Sequence, residues 1–89
     1  MSSEPYEVAI TARAARDLQR LPDKIAAACV EFLLGPLAEN PHRLGKPLRE
    51  ELAGLHSARR GDYRVIYAIN DPHRQLEIVH IDRRGDVYR

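Results

Sequence analysis

The pattern of apolar residues predicts one α+β domain, in which a helical hairpin packs on one face of a mostly antiparallel sheet. Two helical stretches with apolar residues at helical spacing lie in the first half of the chain. After Gly54, β-branched and aromatic runs alternate with turn residues. These observations give the element order β-α-α-β-β-β for a single domain over residues 1–89. The second face of the sheet is then open to a ligand.

A short strand and a capped helix are predicted first. Residues 6–10 alternate enough for a strand, and Thr11 stands at the position of a helix N-cap. The helix follows over residues 12–20, and Pro22 ends it, because proline clashes with the preceding turn and donates no hydrogen bond. The apolar face of this helix consists of Ala14, Leu18 and Leu21.

A second helix is predicted from Asp23, joined to the first as an antiparallel hairpin. Gly35 and Pro36 are expected to end or kink it. Residues 40–47 are rich in residues that break helices and strands, so they are predicted to form a loop. The apolar stripe of the second helix consists of Ile25, Cys29, Phe32 and Leu33.

Three further strands are predicted over residues 55–60, 63–70 and 75–82. Gly61-Asp62 predicts a tight turn or a bulge between the first two, and residues 70–74 predict the turn of a hairpin between the last two. The sheet is therefore expected to be built mainly from neighbouring antiparallel strands.

Composition excludes several classes of protein. With 44% apolar and 30% charged residues, the chain resembles an ordinary globular domain, and it has no apolar run near the roughly 20 residues of a membrane span. The first residues lack the basic start and apolar stretch of a signal peptide. The single Cys29 cannot form an internal disulfide, which predicts a reducing, cytoplasmic environment.

The net charge of +1 hides an uneven distribution. Residues 1–42 hold four Lys/Arg against six Asp/Glu, whereas residues 43–89 hold ten against seven. This asymmetry predicts a polyanion or an acidic protein as the partner. The basic residues concerned include Arg43, Lys46, Arg49, Arg59, Arg60, Arg64, Arg83, Arg84 and Arg89.

Arg64 is the most informative of these residues, because it interrupts a strand whose other residues are typical of a buried core. Strand alternation places it with Ile66 and Ala68, opposite the bulky residues that are expected to cover the helices. An arginine there needs an anion, and its planar fork suits a phosphate. The structural alternative is an ion pair with one of three nearby carboxylates, those of Asp62, Glu77 and Asp82.

Four segments occur in the order TARAARDLQRLP, LGKPL, GDYRVIY and DRRGDVYR. Together they resemble the RelE/ParE superfamily of type II toxins over residues 6–89, and they are more similar to the RelE branch. The resemblance implies a bacterial cytoplasmic toxin held inactive in a hetero-oligomer by a cognate, RelB-like antitoxin. It also implies an mRNA interferase that acts in the ribosomal A site without metal or cofactor. In that reaction the RNA 2′-hydroxyl attacks the adjacent phosphate and leaves a cyclic phosphate.

The resemblance also implies roles for individual residues. Arg64 matches the arginine of the GDYR motif and would clamp the scissile phosphate. Arg84, or the adjacent Arg83, matches an arginine after the last strand that would stabilise transition-state charge. Tyr88 matches a C-terminal tyrosine that would stack on a base or exchange a proton.

The chain departs from the best-known RelE proteins, which carry two lysines on the strand before GDYR. Residues 55–60 contain no lysine, and the arginines present there cannot accept a proton. His56 is therefore the candidate general base, with His80 as its rival. The four histidines show no metal-ligand spacing. The basic residues expected to contact RNA, or else to be solvated surface charges, are Arg59, Arg60, Arg83, Lys46 and Arg49.

Two other functions remain open from the sequence. One is a DNA gyrase inhibitor of the ParE type, which is a binding protein, and the other is a degenerate module that only binds its antitoxin. Acidic antitoxin residues are expected in all three cases to bind a basic groove around Arg59, Arg60, Arg64 and Arg84.

Overall fold

A computed structural model describes residues 4–83 and shows the predicted α+β architecture. The helices lie on one face of a five-stranded sheet with the strand order β1-β5-β4-β3-β2. The helices are α1 (Ala12–Gln19), α2 (Asp23–Phe32) and the short α3 (Pro41–Leu44). The strands are β1 (Glu7–Ile10), β2 (Lys46–Pro47), β3 (His56–Arg60), β4 (Tyr63–Asn70) and β5 (Gln75–Arg83).

The helical hairpin begins and turns where the sequence predicts. The Thr11 hydroxyl accepts a hydrogen bond from the Ala14 amide at 3.2 Å and caps α1. Pro22 separates the two helices and stands at the N-cap of α2. These contacts confirm the predicted cap and the predicted break.

Helix α2 does not end at Gly35-Pro36 but continues through a π-helical turn over Leu33–Leu37. The wider turn accommodates Pro36, because one bond of the ordinary helical ladder is missing there in any case. Leu33 and Leu37 on this turn are fully buried, while Leu34 is 57% exposed. Of the two predicted outcomes, an end or a kink, the helix therefore does not end at Gly35-Pro36, and its geometry changes at that position.

Residues 40–47 are more ordered than the predicted loop. They form α3 and the edge strand β2, which pairs antiparallel with β3. Pro41 opens the short helix, where its missing amide donor costs nothing. The prediction of a plain loop was wrong, since breaker residues here act as element boundaries.

The sheet is antiparallel except at one edge, where β1 pairs parallel with β5. Its helix-facing side packs on the apolar faces of both helices. The core of this packing consists of Ala14, Leu21, Cys29, Phe32, Leu33, Leu37, Ala58, Tyr63, Val65, Tyr67, Leu76, Ile78 and Ile81. Within residues 4–83, no helix is long and apolar enough to cross a membrane.

A β-bulge interrupts β5. Ile66 of β4 pairs with His80 while the next residue, Tyr67, pairs with Ile78, so Val79 has no partner on β4. One extra residue reverses the alternation beyond the bulge. Ile81 therefore returns to the core, and His80 lies on the opposite face of the sheet from Ile81.

Candidate active site

The open face of the sheet carries two rows of directly paired residues. Paired residues on neighbouring strands point to the same side, so the register defines each row. The first row across four strands is Lys46, Ser57, Ile66 and His80. The second is Arg59, Arg64 and Asp82.

Arg64 lies at the centre of the second row with its guanidinium at the surface. Its side chain is 49% exposed, and one terminal nitrogen donates to Asp82 Oδ2 at 3.0 Å. Of the three carboxylates considered from the sequence, the structure places Asp82 beside it. The pair lies on the exposed face and not inside the sheet, which leaves the other guanidinium donors available to an incoming anion.

The two carboxylate oxygens of Asp82 contact different side chains, the Arg64 guanidinium and the His80 ring. Oδ2 accepts from Arg64, and Oδ1 contacts His80 Nε2. Partial burial raises the pKa of the Asp82 carboxyl, but Arg64 and His80 outweigh this effect and hold the pKa below its usual range. Asp82 is therefore ionised at neutral pH and joins the other two side chains.

The second ring nitrogen of His80 faces helix α1. His80 Nδ1 lies 2.7 Å from Asp17 Oδ2, and the same carboxylate oxygen accepts from the Ile81 backbone amide at 3.0 Å. Only 11% of the Asp17 side chain is exposed. Arg64, Asp82, His80 and Asp17 thus form one continuous polar chain, hereafter the Arg64–Asp17 chain.

A depression lies beside this chain, between the C-terminal end of α1 and the end of β5. Two arginines contribute to its wall, Arg20 at the C-cap of α1 and Arg83 from β5. It is also lined by Asp17, His80 and Asp82. The depression thus adds positive charge to a site that already contains Arg64.

His56 lies on the other side of the sheet from Arg64. It pairs with the buried Tyr67 and stacks on that ring at 5.6 Å. Desolvation by burial and the neighbouring His42 lower its pKa, only partly offset by Asp71. The position that sequence reasoning favoured for a general base is therefore separated from the guanidinium by the sheet itself.

Strand alternation also separates the predicted RNA-binding arginines. Arg59 faces the open side, whereas Arg60 lies over the Phe32 ring of α2 at 5.0 Å on the helical side. The expectation that both line one groove was wrong for this geometric reason. Lys46 is exposed in the first row, Arg49 is exposed beyond β2, and Arg83 lines the depression.

The remaining two predicted site residues, Arg84 and Tyr88, lie outside the described residues. Among residues 4–83, no three His, Cys, Asp or Glu side chains are grouped so that they could hold a metal ion. The chemistry available in the described part of the face therefore consists of cations and one histidine between two carboxylates.

Comparison with known proteins identifies the family. A model described as the ParE toxin of type II toxin–antitoxin systems matches residues 8–88. Toxin RelE of Mycobacterium tuberculosis is 75% identical over 85 residues, which cover 96% of this chain and 88% of the relative. The chain belongs to the RelE/ParE family of type II toxins. The similarity to a protein named RelE agrees with the branch indicated by the sequence.

Two other relatives in the family support the same assignment. Toxin RelG of the same organism is 54% identical over 85 residues, and the match covers 96% of this chain and 98% of RelG. A toxin–antitoxin complex, RelBE2 of M. tuberculosis, contains a chain of the same fold with a TM-score of 0.91 and 52% identity. That match covers 96% of this chain and 98% of the other. The α+β fold predicted from the sequence is thereby confirmed as RelE-like.

Proposed function

We propose that this toxin is an endoribonuclease that cleaves mRNA in the ribosomal A site and so inhibits translation. The RNA 2′-hydroxyl attacks the adjacent phosphate, and the 5′ oxygen of the next nucleotide leaves, without a metal ion. The observation that carries the proposal is the exposed Arg64 guanidinium in contact with Asp82, which also contacts His80. This group combines an anion binder with a proton carrier on one open surface.

The like charges of Arg59 and Arg64 support phosphate binding. These arginines lie directly opposite each other on β3 and β4. Such a pair on neighbouring strands is destabilising in the free protein. An anion between or above the two guanidinium groups removes the repulsion, and a phosphodiester offers oxygens to both.

The contact between Arg64 and Asp82 does not prevent phosphate binding. Exposed ion pairs contribute only about 0–1 kcal/mol, so a phosphate displaces the carboxylate from Arg64 at little cost. The pair thus keeps Arg64 oriented toward the open face before RNA arrives.

His80 replaces His56 as the proposed proton carrier, because it lies on the same side of the sheet as Arg64. Its Nε2 contacts the carboxylate that binds Arg64, so proton exchange with the reacting RNA takes place at Nε2. Imidazole suits this role near neutral pH. A well-placed general acid or base contributes about 10²–10⁴-fold to a rate.

The roles of Arg84 and Tyr88 remain those implied by the sequence. Arg84 would stabilise charge on the phosphate in the transition state, and Tyr88 would stack on a base or supply the second proton transfer. Both follow β5, whose last residues line the depression beside the Arg64–Asp17 chain. Arg59, Lys46, Arg49 and Arg83 are proposed to contact the RNA backbone.

We propose further that a RelB-like antitoxin inhibits the protein by covering this face. The RelBE2 relative is a complex of toxin and antitoxin, which supports a partner of the same kind here. Acidic antitoxin residues would neutralise Arg59 and Arg64, the two arginines of the second row. Arg60 is not part of this proposal, because it lies on the helical side.

A translation reaction with purified ribosomes and a defined mRNA tests the proposal. We expect new ends within A-site codons, a cyclic phosphate on the 5′ fragment, and no cleavage without ribosomes. An mRNA with one 2′-deoxynucleotide before the scissile bond is expected to resist cleavage there, because it lacks the nucleophile. Absence of cleavage by folded, antitoxin-free protein would overturn the proposal, and a gyrase supercoiling assay would then test the ParE-type alternative.

A further inference from the structure

Helix α1 holds the bulged segment of β5 at two points. Strand β1 ends at Ile10, which pairs with Ile78, so β5 has no strand neighbour on that side beyond this residue. The Thr11 hydroxyl donates to the Ile78 carbonyl at 2.8 Å, and the Val79 carbonyl lies at 3.3 Å. Further along α1, the Asp17 carboxylate accepts a hydrogen bond from the Ile81 backbone amide.

The bulge and Asp17 together determine the orientation of His80. Without the extra residue at Val79, His80 would point into the core, and the bulge directs it to the face of Arg64 instead. The Asp17 carboxylate then forms a hydrogen bond with Nδ1 of the ring. Because the Asp17 carboxylate is also fixed by a backbone amide and is mostly buried, it offers the ring a rigid acceptor.

We infer that Asp17 is a positioning residue of the proposed ribonuclease site, which holds the Nδ1 proton of His80 and leaves Nε2 as the only nitrogen that exchanges protons with RNA. This inference rests on the proposed function for its catalytic consequence. A carboxylate accepts hydrogen bonds only, and each ring nitrogen faces one, Asp17 at Nδ1 and Asp82 at Nε2. In the neutral ring the single proton stays on Nδ1, because the Arg64 guanidinium already neutralises part of the Asp82 charge, whereas Asp17 is otherwise bound only by a neutral backbone amide. A buried carboxylate that selects one imidazole tautomer is an established device in acid–base catalysis.

The substitution Asp17→Asn alters this relation while it preserves the shape of the side chain. One oxygen of Asp17 contacts both Nδ1 and the Ile81 amide, so the amide oxygen of Asn takes this position and remains an acceptor without negative charge. The Asp82 carboxylate at Nε2 is then the stronger acceptor for the ring proton. The neutral ring of the variant is therefore expected to carry its proton on Nε2. Asp23→Asn, an exposed carboxylate at the start of α2, is the matched control.

Long-range ¹H–¹⁵N NMR of the neutral His80 ring, assigned with His80→Asn, reads the tautomer without any catalysis. We expect the proton on Nδ1 in the wild type and in Asp23→Asn, and on Nε2 in Asp17→Asn. A wild-type ring protonated on Nε2 would overturn the inference, even if Asp17→Asn did not fold. An unchanged tautomer in a folded Asp17→Asn would overturn it as well.

Cleavage on the ribosome supplies the second readout. At saturating substrate, Asp17→Asn is expected to lower the rate about 100-fold or more, the contribution of a well-placed acid or base. Asp17→Asn combined with His80→Ala should be no slower than His80→Ala alone, since Asp17 acts through the ring. Independent, multiplying losses would contradict the inference. A wild-type protein that does not cleave would instead refute the proposed function and leave the tautomer result standing.

Discussion

Successive residues of a strand face opposite sides of a sheet, and in β3 this alternation separates two adjacent arginines. Arg59 belongs to the row that contains Arg64, and Arg60 lies over Phe32 on the helical side. The two side chains are alike in type and exposure, so their comparison isolates the effect of the face.

We expect Arg59→Gln to stabilise the free protein by about 0.2–1 kcal/mol, because it removes the repulsion with Arg64. The same substitution should reduce cleavage about tenfold, since one charge-assisted hydrogen bond to phosphate is lost. Urea unfolding and ribosome-dependent cleavage measure the two effects. Arg60→Gln should reduce cleavage much less and give no gain in stability, and equal losses in both variants would contradict the assignment of the faces.

The sequence predicts which face of the sheet a residue occupies only where the alternation of the strand is uninterrupted. The outward position of Arg64 followed from the uninterrupted pattern of β4. His80 could not be placed in the same way, because the unpaired Val79 shifts the alternation and the sequence VHIDRR does not show which residue bulges. The contact of His80 with Asp17 joins positions 63 residues apart, and no local spacing indicates it.

At the scale of elements, the short segment that contains α3 and β2 packs closely on the sheet. The Tyr67 hydroxyl donates to the Pro41 carbonyl at 2.6 Å, and burial raises the pKa of Tyr67 to about 12. Gly45 passes directly against this hydroxyl and the Ser57 carbonyl. The sequence indicated only breakers here, because the close approach involves a tyrosine 22 positions away.

We expect Gly45→Ala to lower the free energy of unfolding by about 1–3 kcal/mol, because the new methyl group overlaps Tyr67 and the Ser57 backbone. Gly35→Ala is the matched control, since a methyl group at Gly35 meets nothing within 4 Å. That change should be neutral or slightly stabilising. Chemical denaturation measures both variants, and a neutral Gly45→Ala would show that α3 and β2 do not pack as described.

Burial of His56 against Tyr67 predicts a pH dependence of stability. Its pKa is lower in the folded protein than the usual 6.5, so the unfolded chain binds more protons as the pH falls toward and below that value. The histidine therefore weakens the fold under mildly acidic conditions, and its effect disappears above about pH 7. Urea midpoints between pH 5 and 7.5 should fall less steeply with decreasing pH in His56→Phe than in the wild type. An unchanged slope would contradict this origin of the acid sensitivity.

At the scale of the whole molecule, the helices and the helix-facing side of the sheet form one core, and Cys29 lies within it. The thiol is fully buried, and desolvation raises its pKa to about 11, an increase that the neighbouring Tyr63 only partly offsets. Apolar periodicity predicted this burial correctly, because the stripe of α2 is regular. The thiol is consequently inert as long as the fold is closed.

Alkylation of Cys29 is therefore expected to report unfolding of the molecule. Iodoacetamide should modify the native protein far more slowly than the urea-unfolded chain, and the rate should follow the unfolded fraction across the transition. Gly45→Ala should accelerate the modification by the factor by which it raises the unfolded fraction. Rapid modification of the fully native protein would show that the core opens locally around α2.

The proposed function depends above all on the binding of the scissile phosphate by Arg64 on the open sheet face. Mapping mRNA ends on the ribosome with Arg64→Ala, beside Arg13→Ala on the exposed side of α1, tests it most directly. We predict that Arg64→Ala lowers the rate of A-site cleavage at least about 100-fold, because a donor to the charge of the transition state is removed. Arg13→Ala is expected to cleave at the wild-type rate. Wild-type cleavage by a folded Arg64→Ala variant would contradict this role of Arg64.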